Sequence, residues 1–354
     1  EEAHRAGLDL HAWFNPYRAR HASSKSPLAA SHVANLRPEL VKRYGRELWM
    51  DPADPEAPER MLRVVLDVVR RYDVDGVHID DYFYPYPVKD AAGQRVDFPD
   101  DPTWQAYVAA GGTLSRADWR RDQVDRLVLR LSQDVHREKP HVRVGISPFG
   151  LGRPDRRPPG IVGFSQYDEL YANAERWLAE GWVDYFVPQL YWRREPADQA
   201  FGPLLAGWRE QNPRRRHLWP GLFTSRVASG DAPWPVEEIA AQIDLSRQGT
   251  LEPGHAPFSA AALKRDAGGI NAVLTARYAG PALIPTASWM GGEAPPGGSS
   301  CSRMEAVPFP VGWKVSHWGT SGPRPWDARA SKVRASTSPL GETRDPCPPR
   351  PCPA

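Results

Sequence analysis

The chain has 354 residues and a formal net charge of +2, enough length for a sizeable core and too balanced a charge for a dedicated nucleic-acid or polyanion binder. Its 3 cysteines are Cys301, Cys347 and Cys352, so the body carries no disulfide framework, cysteine zinc cluster or cysteine nucleophile. No run approaches the roughly 18 apolar residues of a membrane helix, so no transmembrane segment is expected.

Residues 1–7 read as the end of a helix closed by Gly7. Leu8 to Phe14 follows as a strand, with Asp9, His11 and Trp13 on one face and Leu8, Leu10 and Ala12 on the other. It runs into the polar loop Asn15-Pro16-Tyr17-Arg18, and 19–50 reads as loop. Asp54 to Tyr72 is a helix, with Met61, Val64, Val65, Val68 and Val69 at helical spacing.

The stretch Tyr72 to Pro87, YDVDGVHIDDYFYPYP, then begins as a buried strand and ends as an aromatic, acidic loop. Alternation places Gly76, His78 and Asp80 on one face and Val77, Ile79 and Asp81 on the other. A buried strand that ends in two carboxylates is costly unless they do something.

Asp90 to Gly112 reads as an insertion-like loop containing FPDD, and Asp118 to Lys139 as a helix. Beyond them the spacing predicts strands at Val142–Phe149, Val183–Trp192, His217–Phe223 and, weakly, His255–Ser259. Helices are predicted at Tyr167–Glu180, Pro196–Gln211 and Pro235–Gly249, then a broken helical region over Ala260–Tyr278. Strand and helix alternate, which predicts an α/β fold with a parallel sheet: a (β/α)8 TIM barrel. Six strand candidates leave two units to lie before residue 1, so the barrel is expected to be N-terminally truncated. A doubly wound sheet is the alternative, but no Gly-x-Gly-x-x-Gly follows an early strand. The barrel is expected over 1–290. From 291 to 354 Gly, Pro, Ser and Arg dominate, and a disordered low-complexity tail is expected.

In a barrel, the strand C-terminal ends converge on one mouth. Here they would bring together His11, Trp13, Asn15, Arg18, His78, Asp80, Asp81, Tyr82, Tyr84, Gln189, Tyr191, Trp192 and Trp219, and beside these thirteen Ser147. Carboxylates among aromatics fit glycosidic chemistry, where one carboxylate acts as nucleophile or base, another as acid, and aromatic faces hold the sugar. Asp80 is the leading catalytic carboxylate and Asp81 its leading partner, an acid if burial raises its pKa; the remaining eleven are expected to contact substrate. Asp168 and Glu169 are secondary acid candidates. No metal site or cofactor is expected, since His11, His78 and Asp80 lack a recognised ligand spacing. A carbohydrate-binding barrel without turnover is the second reading, with Trp13, Tyr84, Tyr191 and Trp192 as stacking surfaces.

HAWFNPYR (11–18), RYDVDGVHIDDYFYP (71–85), GISPFG (145–150), WLAEGWVDYFVPQLYW ending at Trp192, PGLFTSRV (220–227) and PALIPTASWM (281–290) together resemble the glycosyl-hydrolase-like family ten of bacterial proteins. The resemblance implies a (β/α)8 barrel, export to the periplasm or cell surface, often as a lipoprotein, and a polysaccharide substrate. A branch of the family implies cleavage of peptidoglycan glycan strands stripped of their peptides. GVHID (76–80) also resembles the nucleophile-bearing strand of the α-amylase superfamily, with Asp80 at the nucleophile and His78 at the arginine position; the acid of the next strand has no counterpart in GISPFG. The family commonly reads Tyr-Ala-Asp where this chain has Tyr171-Ala172-Asn173.

Overall fold

The computed structural model describes residues 1–195, 197–250, 253–280 and 285–291, all within one compact unit, Glu1–Val307. Of the expected tail, everything after Gly291 lies outside the described residues.

A short helix α1 (Glu2–Arg5) leads into β1 (His11–Phe14). Between β1 and the next helix the chain does not remain a loop as expected. It forms a three-stranded antiparallel sheet from β2 (Arg18–Arg20), β3 (Val41–Tyr44) and β4 (Glu47–Met50), in the order β2-β4-β3, with helix α2 (Val33–Leu36) inserted. Short strands of mixed polarity gave no clean alternation to read. What holds them is tertiary: Trp49 is fully buried, and its indole N–H donates to the Phe83 carbonyl at 3.0 Å.

Helix α3 (Glu56–Arg71) buries Met61, Leu62, Val65 and Val69, whereas Val64, expected on that stripe, is 53% exposed. Strand β5 (Gly76–Ile79) follows. The insertion after it contains helix α4 (Asp101–Ala109) rather than loop alone: Asp100 is its N-cap residue and Pro102 lies in its first turn, where a missing N–H costs nothing. Then come α5 (Arg116–Glu138), β6 (Arg143–Ile146), α6 (Gln166–Glu169), α7 (Ala174–Glu180), β7 (Tyr185–Phe186), α8 (Phe201–Glu210), β8 (His217–Leu218), β9 (Gly221–Leu222), α9 (Val236–Arg247), β10 (Ala256–Pro257), α10 (Ala260–Lys264) and α11 (Ile270–Arg277). The one helix expected over 167–180 is two. It breaks at Tyr171, whose backbone turns left-handed (φ 52°) while its hydroxyl takes a 2.6 Å hydrogen bond from Arg120 Nη1.

Strands pair in parallel in the order β1-β5-β6-β7-β8. Bridges Phe149–Gln189 and Gln189–Gly221 carry the array on to β9, which pairs in parallel with β10. Spatial order therefore follows chain order across six strand positions, as in a β/α barrel and unlike the reversal of a doubly wound sheet. Outward-facing Val77, Ile79, Val144, Ile146 and Phe186 are at most 1% exposed against α3, α5, α7 and α8.

Candidate active site

One register row crosses the sheet: Trp13, His78, Gly145, Tyr185 and His217. Because residues in register share a face, these side chains lie on the inner face. Tyr185 dominates this layer. Its ring fills the space that a Cβ on Gly145 would occupy, 2.0 Å from Tyr185 Cζ, and its hydroxyl lies 2.7 Å from His11 Nδ1 and 3.0 Å from His78 Nδ1. A hydroxyl has one proton, so it donates to one imidazole and accepts an N–H from the other. The other His78 nitrogen, Nε2, meets the Ser147 hydroxyl. Burial, with a lesser contribution from the charge of His11, pushes the His78 pKa down to about 4, so the ring is neutral near pH 7. Trp219 tilts against the far side of Tyr185 with centroids 5.3 Å apart.

Above this layer stands Asp80. Strand pairing ends at Ile79, and the backbone turns so that the Asp81 N–H donates to Asp80 Oδ1 at 2.9 Å. Gln189 Nε2 donates to the same oxygen at 3.1 Å and to the Ser147 carbonyl at 3.0 Å. The Trp13 indole also hydrogen-bonds Asp80, and the Arg18 guanidinium favours its charge; burial outweighs them and raises its pKa.

Asp81 is not on the opposite face, as alternation predicted. Its carboxyl faces that of Asp80, because strand alternation stops one residue before the pair. It is 2% exposed, accepts a hydrogen bond from the Tyr86 hydroxyl on Oδ2, and has its pKa pushed well up by burial and then by the Asp80 charge. Tyr86 itself is locked by a stacked contact with Phe164 at 5.4 Å.

The other expected residues divide. Trp13 is 52% exposed beside Asp80, available as a platform. Arg18 lies 4.4 Å above the Tyr82 ring, a cation–π contact at the mouth. Tyr191 stacks on Phe258 at 5.2 Å, near enough for both aspartates to raise its pKa, after burial as the larger cause. Trp192 packs edge-on to Phe149 at 5.7 Å. Asn15 accepts the Arg18 backbone N–H at 3.0 Å, a turn-closing bond that leaves its Nδ2 without a partner among the described residues.

Tyr84 is a correction. Expected as a sugar platform, it is 1% exposed, edge-on to Tyr171 at 4.9 Å and Phe98 at 5.3 Å, with Arg120 over its ring at 5.5 Å. It anchors the insertion instead: Arg120 binds Asp97 and Asp100, the latter fully buried. Asp168 and Glu169 are already engaged, by Ser165 Oγ at 2.7 Å and Arg95 at 2.6 Å.

Two residues of this constellation, Tyr185 and Tyr86, were not singled out from the sequence. For Tyr185 a signal existed: Gly145 falls on an inward position of the neighbouring strand, which leaves room for a large ring. Tyr86 had none, since its partner is set by how the loop folds back.

The description "Glycosyl hydrolase-like 10" matches residues 1–235. Glycosyl hydrolase YngK of Bacillus subtilis (strain 168) is 38% identical over 304 residues, 83% of this chain and 58% of that protein. Glycosyl hydrolase DigH of Escherichia coli (strain K12) is 32% identical over 266 residues, 70% of this chain and 59% of that one. The chain thus spans under two thirds of the length of these curated relatives. Among solved structures, the PgaB (BpsB) glycoside hydrolase domain from Bordetella bronchiseptica has a TM-score of 0.47 at 15% identity, covering 76% of this chain and 75% of that one.

Proposed function

The chain belongs to the glycosyl hydrolase-like 10 family, and on that premise we propose that it is an exported glycoside hydrolase that uses Asp80 as a catalytic carboxylate on a polysaccharide, bacterial cell-wall glycan strands first among the candidates. The observation that carries this is the placement of Asp80 at the C-terminal end of an inner strand, oriented by Gln189, between the exposed Trp13 and the Arg18–Tyr82 pair. An anionic carboxylate suits an oxocarbenium-like transition state, and a flat aromatic face suits a pyranose ring. Arg18 supplies donors for hydroxyl or carboxylate groups of the glycan, while Gln189 spends its two N–H groups on Asp80 and the Ser147 carbonyl.

Cleavage is tested by mass spectrometry of soluble products from peptidoglycan strands with and without peptides, for the parent and Asp80→Asn. The parent is expected to release oligosaccharides from peptide-free strands, and the variant about 10²–10⁴-fold less, the typical contribution of a positioned acid–base group. Retained glycan binding with no products from either protein would instead support a carbohydrate-binding barrel.

A further inference from the structure

Resting on that reading of Asp80, we propose that Asp81 is a positioning residue: a neutral carboxylic acid, held by Tyr86, that donates a hydrogen bond to an ionised Asp80. Two ionised carboxylates offer only acceptors and repel, so two carboxyls that face each other in a site this buried call for one proton shared by the pair.

The surroundings decide which carboxyl holds it. Asp80 Oδ1 accepts from the Asp81 backbone N–H and from Gln189, the Trp13 indole adds another donor, and Arg18 adds a positive charge. Each of these favours the anion at Asp80. Asp81 is nearly sealed from solvent, with the Tyr86 hydroxyl and a share of the Gln189 amide as donors. The neighbouring phenols Tyr82, Tyr86 and Tyr191 all have raised pKa values, burial first among the causes, so none supplies a charge to Asp81. The geometry also separates the pair from the usual acid–nucleophile arrangement, in which the two carboxyls stand about 5–5.5 Å or about 6.5–9.5 Å apart across the glycosidic bond. Carboxyls on adjacent residues that face each other, one of them sealed, do not flank a substrate.

The test compares the parent with Asp81→Asn, Asp81→Ala, Asp80→Asn and Tyr86→Phe by infrared spectroscopy and glycan cleavage. At neutral pH a protonated carboxylic C=O band is expected in the parent and should be lost in Asp81→Asn. Asparagine keeps an N–H for Asp80 and an acceptor for Tyr86, so it should restore cleavage to within about tenfold of the parent, while Asp81→Ala falls with Asp80→Asn by about 10²–10⁴-fold. Tyr86→Phe should move the acidic limb of the pH–rate profile, a change that lost packing alone does not make. An infrared band unchanged in Asp81→Asn overturns the proposal whatever the activity. So does an Asp81→Asn protein that melts like the parent but cleaves no better than Asp80→Asn. Absence of cleavage from every protein counts against the glycosidase reading, and the infrared result still decides the state of Asp81.

Discussion

At the scale of the residue, the inner face of this barrel is a ladder of hydrogen bonds rather than a hydrocarbon core. His11, Tyr185, His78 and Ser147 form a continuous chain, and the Ser147 carbonyl passes it to Gln189 and so to Asp80. Both imidazoles cannot be charged while Tyr185 still donates within the chain, because a doubly protonated ring has no acceptor left. Between the ordinary histidine pKa and about 4 the unfolded chain binds more protons at His78 than the folded one does. Stability at this site is therefore full above about pH 6.5 and is lost as pH falls through that window, by up to about 3 kcal/mol. Denaturant melts at pH 7 and pH 4.5 should show a smaller acid loss for His78→Gln than for the parent; equal losses would mean that His78 is not held neutral.

At the scale of the element, β5 and β6 are each cut to fit a ring. Gly145 lies under Tyr185, and a Cβ on Gly76 would stand 2.6 Å from His11 Nδ1. Gly145→Ala should cost about 1–3 kcal/mol by overpacking. Combined with Tyr185→Ala, which vacates the space, the two costs should add to less than their sum by about 0.5–3 kcal/mol. Strict additivity in urea melts would show that the glycine is not kept for the ring. The strands themselves were legible in the sequence, because apolar outward faces such as Val77–Ile79 and Val144–Ile146 must be buried by helices wherever they fold. The β2–β4 sheet and α4 were not legible. Their residues alternate poorly, and they are held by particular distant partners, Phe83 for Trp49 and Arg120 for Asp100.

At the scale of the whole molecule, the segment 285–291 closes the N-terminal end of the barrel. Arg143 Nη2 donates to the Pro285 carbonyl at 3.0 Å and its Nη1 pairs with Asp9 at 3.1 Å. The Trp289 indole donates to Asp184 at 2.8 Å and packs edge-on to His217 at 4.8 Å. Burial alone would raise the Asp184 pKa, but its bonds from His136, Val144 and Trp289 outweigh that and hold it low. Trp289→Ala leaves one Asp184 oxygen without that donor and should destabilise the protein by about 1–3 kcal/mol, read by denaturant melts. An unchanged midpoint would mean that the segment only rests on the barrel.

Local chemistry was enough to establish the alternation of strands and helices, the barrel order and Asp80 at the end of an inner strand, because period and β-propensity act over a few residues and need no knowledge of partners. Tertiary structure alone decided that Asp81 turns back onto Asp80, that Tyr84 is core while Trp13 is exposed, and that Tyr185 and Tyr86 complete the constellation. Each of these depends on which distant atoms meet: alternation ends where strand pairing ends, and a carboxyl's protonation follows from the donors that folding delivers to it.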